Sequence, residues 1–255
     1  MHVLKAVELT KIYGGTHGSA AVRALDSFNL LVKAGEFVGI MGPSGSGKTT
    51  ILQILGTIDV PTSGRVFLGE REITGLKGKE LAVFRRKHMG FIFQDFNLLD
   101  ALTLKENIIL PLVLEGHPVA EIEARLEALS RRLDIAKVLS RHPYEVSGGE
   151  KQRAAAGRAL IHRPDLVLAD EPTGNLDSRS ARALMDALDG LNREEGATMV
   201  MVTHDPVTAS FCSRILFIKD GRLVTELRRG KDRARFFQQI LDTQAAIGGD
   251  GHDPA

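Results

Sequence analysis

The chain has 255 residues, 43% of them hydrophobic, enough for one large α/β domain or a domain carrying a small inserted subdomain. Its 33 basic and 32 acidic residues leave a net charge of +1, so no global field favours nucleic acid as a partner. The single cysteine, Cys212, excludes a disulfide framework or a cysteine metal cluster and reads as a small buried side chain in a reducing cytosol.

The opening MHVLKAVELTK alternates like a strand over residues 3–9 and lacks the features of a signal peptide. No run is long and apolar enough to span a bilayer, so a partner must supply any membrane span. Tyr13, in KIYGG, reads either as a loop aromatic packed on its own sheet or as a ring stacked on a nucleotide base. Residues 14–20, GGTHGSA, read as a flexible loop, and residues 22–32 as further strand.

The stretch FVGIMGPSGSGKTT, residues 37–50, carries the strongest local signal. An apolar strand runs into a turn with Gly42, Gly45 and Gly47, and an apolar helix follows Lys48, Thr49 and Thr50. Strand, Gly-x-x-x-x-Gly-Lys-Thr, helix is a phosphate-binding loop in its required context. Glycines allow positive φ and bring backbone N–H groups against phosphate. The helix N-terminus adds partial positive charge. Lys48 can reach the β- and γ-phosphates, and the Thr49 hydroxyl can ligate Mg²⁺.

Residues 61–64 form a turn, 65–68 a short strand and 79–87 a short basic helix with a solvated face. The apolar strand Met89 to Phe93 ends at Gln94, which can ligate Mg²⁺ or the attacking water. Phe96, Leu98, Leu99 and Leu102 then crowd a loop-like segment that is either packed under the domain or offered to a partner. Residues 121–135 read as an amphipathic helix with Ile122, Leu126, Leu129 and Leu133 on one face. Ser147 is a natural helix N-cap, and Gly148 and Gly149 behind it can expose N–H groups to an anion.

The buried strand of residues 166–169 delivers Asp170 and Glu171 to its C-terminal end, where ligands bind in open α/β sheets. Asp170 reads as part of a Mg²⁺ shell and Glu171 as the group that polarises the attacking water. A helix starts after Asn175-Leu176-Asp177 and buries Leu184, Leu188 and Leu191. The strand of residues 198–202 ends at His204, either a partner for a γ-phosphate oxygen or a satisfied structural histidine. Residues 214–218 and 222–226 flank a hairpin turn. The tail from about residue 231 has an apolar stripe of Phe236, Phe237, Ile240 and Leu241 that docks on its own domain, and residues 248–255 read as frayed.

In this order the motifs resemble one family, the nucleotide-binding subunits of ATP-binding cassette (ABC) transporters. The likeness covers about residues 2–227: Tyr13 as base-stacking residue, GPSGSGKT as Walker A, Gln94 as Q-loop, VSGGE as signature, DLVLADE as Walker B with its base, NLD as D-loop and His204 as switch. Any one could be accidental; all of them in sequence could not. The resemblance implies an α/β fold: a P-loop NTPase cassette with a RecA-like core, an N-terminal antiparallel β-subdomain and a helical subdomain inserted at about residues 95–155. Residues 228–255 follow as a helical tail. It implies ATP and Mg²⁺ as cofactors. Nucleotide would be held by Tyr13, by Gly42, Pro43, Ser44, Gly45, Ser46, Gly47, Lys48, Thr49 and Thr50, and by Ser147, Gly148, Gly149, Glu150 and Asp177. Thr49, Gln94 and Asp170 would serve the metal. Glu171, His204, Lys48 and Gln94 would carry the reaction. Glu150 departs from the commonest signature, which ends in glutamine, but both side chains accept a hydrogen bond.

The resemblance further implies an ATP-dependent homodimer at the cytoplasmic face of the cell membrane, peripheral through an integral permease. Phe96, Leu98 and Leu99 would seat a coupling helix of that permease. TIDVPTSG, the block from Ala82 to Leu112 and EPTGNLDS look like the branch serving mechanotransmission-type permeases and lipoprotein release. FNLLDALT and FFQQILDTQAAIGGDGHD look most like bacitracin-resistance ATPases, which work with a large permease and a sensor histidine kinase. Competing readings fit less well. A repair-type ABC ATPase needs a long coiled coil between Thr49 and Ser147, and a translation-type one carries two cassettes. A dead binding module would not keep Lys48, Asp170, Glu171 and His204, and a small GTPase or kinase has no such signature and switch.

Overall fold

The computed structural model describes residues 2–14 and 20–249. Most of the 14–20 loop and the last six residues of the polar end lie outside the described residues. Among the described residues there are ten strands in two sheets, eight α-helices and two short 3-10 helices.

The first sheet is antiparallel, ordered β2-β1-β4-β5, and comprises β1 (His2–Tyr13), β2 (Val22–Lys33), β4 (Ser63–Leu68) and β5 (Arg71–Glu72). Along β1 and β2 burial alternates, as a sheet with one covered face requires. The second sheet is ordered β10-β9-β3-β8-β7-β6. Its members are β3 (Phe37–Met41), β6 (Met89–Ile92), β7 (Leu166–Asp170), β8 (Met199–Val202), β9 (Arg214–Lys219) and β10 (Arg222–Arg228). All neighbours are parallel except the β9–β10 hairpin. Because β3, β6, β7 and β8 run the same way, their C-terminal ends share one edge. These strands are continuous apolar runs because both faces are covered.

One face is covered by the antiparallel sheet and α1 (Lys48–Leu55), which buries Ile51, Leu52, Ile54 and Leu55. The opposite face is covered by α3 (Leu104–Glu115), α4 (Val119–Arg132), α5 (Gly148–Leu160), α6 (Ser178–Glu195), α7 (Pro206–Ala209) and α8 (Arg233–Gly249). The basic helix α2 (Gly78–His88) leads into β6 and turns Phe84 inward.

The predicted amphipathic helix is α4, with Ile122, Leu126 and Leu129 buried; Leu133 sits at its C-cap. Helix α3 is not apparent from residue patterning because Pro111 interrupts it. Thr103 and Glu106 nevertheless form a capping box at its start, a readable signal: Thr103 Oγ1 accepts from Glu106 N at 3.2 Å, and Thr103 N donates back to Glu106 Oε2 at 2.8 Å. In α8, Phe236 and Ile240 are buried, while Phe237 and Leu241 are half-buried.

Candidate active site

The shared strand edge collects part of the sequence-predicted site, while Tyr13 ends β1, Ser147 to Glu150 start α5 and Asp177 caps α6. The phosphate loop follows β3, Gln94 lies just beyond β6, Asp170 ends β7 with Glu171 next, and His204 follows β8. Register places Asp170 opposite Val202.

The loop between β3 and α1 needs its glycines for two separate reasons. Gly47, the N-cap of α1, has φ +99°, and a Cβ there would stand 2.4 Å from Ala24 O. At Gly42 a Cβ would stand 2.1 Å from Ile218 O. Pro43, Ser44 and Gly45 form the exposed crest, with Ser46 N donating to Pro43 O at 3.3 Å. Lys48 folds back, its Nζ donating to Gly42 O at 2.9 Å and Pro43 O at 2.8 Å. Burial lowers its pKa, opposed by the nearby Glu171 and Asp170 carboxylates. The lysine is thus held where an incoming phosphate can replace two carbonyl oxygens.

Burial, reinforced by Glu171, raises the pKa of Asp170 against the pull of Lys48. Asp170 Oδ1 and Ser46 Oγ are both buried without a hydrogen-bond partner among the described residues. Such orphaned oxygens next to a phosphate loop suit a hydrated Mg²⁺ brought in with a nucleotide, which takes one or two carboxylates plus phosphate oxygens. Among the described residues, no group of three or more His, Cys, Asp or Glu forms a self-sufficient metal cage.

Glu171 has φ +46°, a left-handed conformation costly for a side chain of this size. It accepts from His204 N at 3.3 Å, and its Oε1 lies 2.9 Å from His204 Nδ1. The carboxylate is 17% exposed and the imidazole 70% exposed, so the ring is free to turn toward a ligand. Tyr13, 39% exposed, donates from its hydroxyl to Asp59 Oδ2 at 2.7 Å, with Lys11 Nζ 4.8 Å from its ring centroid. Burial raises the phenol pKa against the influence of Thr50, which places the ring beside the start of α1.

Gln94 and the NLD segment interlock. Gln94 Nε2 donates to Asn175 Oδ1 at 3.1 Å, and Asn175 Nδ2 donates to Gln94 O at 3.3 Å and to Asp95 Oδ1 at 3.0 Å. Asp177 caps α6, its Oδ1 accepting from Arg179 N and Ser180 N, both at 3.0 Å. In this conformation its carboxylate is engaged by its own helix. Ser147 caps α5 in a capping box with Glu150, whose Oε2 accepts from Ser147 N at 2.8 Å and Ser147 Oγ at 2.7 Å. The first N–H groups of α5, at Gly148 and Gly149, lack intrahelical acceptors as in any helix. Gly149 is required by proximity, since a Cβ there would stand 2.6 Å from Ser180 Oγ.

Sequence reasoning missed two residues of α5. Gln152, fully buried, donates from Nε2 to Phe93 O at 2.9 Å and Pro172 O at 2.7 Å, joining the signature helix to the residues beside Gln94 and Glu171. Arg158 donates to Asn97 O at 2.7 Å and Phe96 O at 3.3 Å, holding a turn with φ +61° at Phe96 and +50° at Asn97. A lone glutamine in an alanine-rich inward face was the available signal.

The apolar segment after Gln94 does not act as one patch. Leu98 packs on the core, Phe96 lies against Gly148 and Leu99 is 49% exposed. Buried Asn107 draws the segment inward, donating to Leu99 O, Leu102 O and Thr103 O and accepting from Leu99 N. A largely apolar, open groove of about 400 Å³ is lined by Ile58, Phe91, Phe93, Leu110, Pro111 and Leu114, together with Arg85, Arg86, Arg158 and His162.

Residues 25–174 match the model of the ABC transporter family. The chain is 54% identical over 253 residues to YvcR of Bacillus subtilis, an uncharacterised ABC transporter ATP-binding protein, covering 99% of this chain and 98% of that one. It is 48% identical to the bacitracin export ATP-binding protein BceA of Halalkalibacterium halodurans, covering 99% and 100%. To the lipoprotein-releasing system ATP-binding protein LolD of Aquifex aeolicus it is 44% identical, covering 89% and 98%. The solved dimeric ABC transporter cassette MJ0796 superposes with a TM-score of 0.81 at 41% identity, over 89% of this chain and 99% of that one. A second structure of that cassette, bound to ADP and Pi after hydrolysis, gives 0.80 at 40%, again over 89% and 99%. With the phosphate loop, the paired carboxylates and the signature helix in place, the chain belongs to the ABC transporter family, as an ATP-hydrolysing ATP-binding subunit of the branch that includes BceA and LolD.

Proposed function

We propose that this subunit drives a separate membrane permease acting against cell-wall-directed peptide antibiotics such as bacitracin. The observation that carries the reading is extent. BceA and YvcR match this chain through 99% of its length, whereas LolD and the MJ0796 cassette account for 89%. No helix among the described residues is long and apolar enough to cross a membrane, so the permease supplies the span.

Two copies meet head to tail, each phosphate loop facing Ser147, Gly148 and Gly149 of the second copy. The reason lies in the sheet: β3 and β6 are three strand spacings apart, about 14 Å, and α5 lies against β6. ATP bridges the two copies, its base on Tyr13 and its phosphates on residues 42–50. Lys48 leaves its two carbonyl partners for the β- and γ-phosphates. Thr49, Gln94 and Asp170 would hold a Mg²⁺ ion, which would supply positive charge to the phosphate oxygens when bound. Glu171 takes a proton from the water that attacks the γ-phosphorus in line, the bond from that phosphorus to the β–γ bridging oxygen breaks and ADP leaves, and His204 holds a γ-phosphate oxygen. ATP contacts are strongest when the dimer is closed, so binding and hydrolysis drive an open–closed cycle. Gln94 carries the change through Phe93 to the apolar groove, where a permease helix sits.

A second reading, lipoprotein release or macrolide efflux, draws on 44% identity to LolD and 45% to the macrolide export protein MacB of Campylobacter jejuni. The test is ATPase activity of the subunit purified with its permease. Stimulation by bacitracin-like peptides supports the first reading; stimulation only by a lipoprotein or a macrolide supports the second. Absence of any membrane partner overturns both.

A further inference from the structure

The chain beyond β10 carries none of the phosphate chemistry, yet it grips the segment that follows His204. Arg229 Nη1 donates to Phe211 O at 2.7 Å, and Arg229 N donates to Ser213 O at 2.8 Å. Arg233, at the start of α8, donates from Nε to Ser210 Oγ at 3.0 Å, and its guanidinium lies 3.5 Å from the centroid of the Phe211 ring. Arg182 of α6 approaches the same ring at 5.4 Å. Further along α8, Gln244 Nε2 reaches His204 O at 3.5 Å. Phe236 and Ile240, 1% and 0% exposed, seat the helix on the core between these contacts.

All these contacts fall on residues 204–213. This stretch holds α7, which Asp205 caps by accepting from Val207 N at 3.2 Å and Thr208 N at 2.9 Å. From α7, Thr208 Oγ1 lies 3.0 Å from Thr173 Oγ1, on the loop after Glu171. Among the described residues the imidazole itself has a single side-chain partner, Glu171. Its position is therefore set by backbone, held by Glu171 on one side and by the tail on the other.

We propose that α8 is a brace that sets the position of His204, and that Arg233 and Gln244 are positioning residues for ATP hydrolysis acting through that histidine. The proposal rests on the reading of His204 as a γ-phosphate partner. Displacements of an ångström at a reacting group can cost about a hundredfold in rate, so an element outside the site can govern turnover without touching ATP. In the proposed function nucleotide is bound by residues 42–50 and Tyr13, whereas the tail contacts described above fall on residues 204–213, so the effect belongs on kcat rather than KM.

The experiment is steady-state ATPase kinetics of the full chain as wild type, Arg233→Ala/Gln244→Ala, His204→Ala and the triple variant, with thermal unfolding of each. The double variant is expected to lose about tenfold in kcat with KM for ATP within about twofold, and the triple variant to be no slower than His204→Ala. Arg233→Lys, which keeps a cation over Phe211, is expected to fall between wild type and the double variant, and carries the comparison if the double variant does not fold. Wild-type kcat in the folded tail variants overturns the brace. So does a triple variant slowed by the product of the separate effects, which would place the tail's action elsewhere. Wild-type kcat in His204→Ala overturns the underlying reading of the histidine, and the proposal with it, whatever the tail variants do.

Discussion

Glu171 and His204 meet twice, through the histidine backbone N–H at 3.3 Å and through its ring nitrogen Nδ1 at 2.9 Å. The carboxylate is thereby aimed along the strand edge, beside Asp170 and Lys48, rather than left to swing in solvent. Glu171→Gln keeps the shape and an acceptor but cannot take a proton. It is expected to bind ATP, close the dimer and hydrolyse about 10²–10⁴-fold more slowly. ATPase assays with size-exclusion chromatography in ATP check this. Unchanged turnover would remove Glu171 from the role of base.

The same residue stores strain. At φ +46° a glycine sits at ease and an alanine does not. Glu171→Gly should therefore be more stable than Glu171→Ala, by up to about 1 kcal/mol after the extra chain entropy of glycine is subtracted. Both variants should be inactive. Urea unfolding midpoints decide it; equal midpoints would mean that the backbone relaxes once the carboxylate is gone.

Gln152 couples three segments through one buried amide, and its Oε1 has no partner. Gln152→Met fills similar space and removes that orphan, but it strips Pro172 O of its amide donor and leaves Phe93 O only Phe96 N at 3.4 Å, at a cost of about 1–3 kcal/mol. Gln152→Glu sets a carboxylate against the same two carbonyl oxygens and should cost more than the methionine variant. Denaturant titration of the pair tests the order. A glutamate variant as stable as the methionine one would show that water reaches the site.

The phosphate loop, the carboxylate pair, the signature cap and the parallel core strands were readable because each is a local pattern. Glycines at fixed spacing, apolar runs ending in acid, and Ser followed three residues later by Glu are all written within a few residues. Helix α3 was hidden because Pro111 breaks its periodicity, although Thr103 and Glu106 marked its start. The Gln152 and Arg158 contacts were out of reach for a different reason: they join residues 20 to 62 positions apart, and only the packing of α5 against β6 brings them together. The packing of the residues expected to seat a permease helix was out of reach likewise. Apolar density marked Phe96, Leu98 and Leu99, but buried Asn107 pulls their segment inward.

The groove lined by Phe91, Phe93, Leu110 and Leu114 is therefore the surface to perturb. Leu114 is 57% exposed, so Leu114→Glu leaves the fold intact while placing charge at the groove wall. The isolated subunit should keep its basal ATPase, and the permease complex should lose stimulation by substrate. Equal loss of both activities would make the groove part of the fold and not a coupling surface.

Glu150 gives the clearest pH dependence. The Ser147 hydroxyl, joined by the Ser147 backbone N–H, holds the Glu150 carboxyl below its ordinary value. A folded-state pKa that is depressed adds stability above the unfolded carboxyl value, and that stability is lost as pH falls through the folded value. Glu150→Gln retains an acceptor for Ser147 but does not titrate. It should match wild-type ATPase at neutral pH within about twofold and lose less stability than wild type from about pH 5 to pH 3. Glu150→Ala cannot return the Ser147 bonds and should cost about 0.5–2 kcal/mol already at neutral pH. Thermal unfolding of the three proteins across this range separates the cases. A glutamine variant that acid destabilises as steeply as wild type would locate the acid sensitivity in carboxylates other than the one that closes the α5 cap.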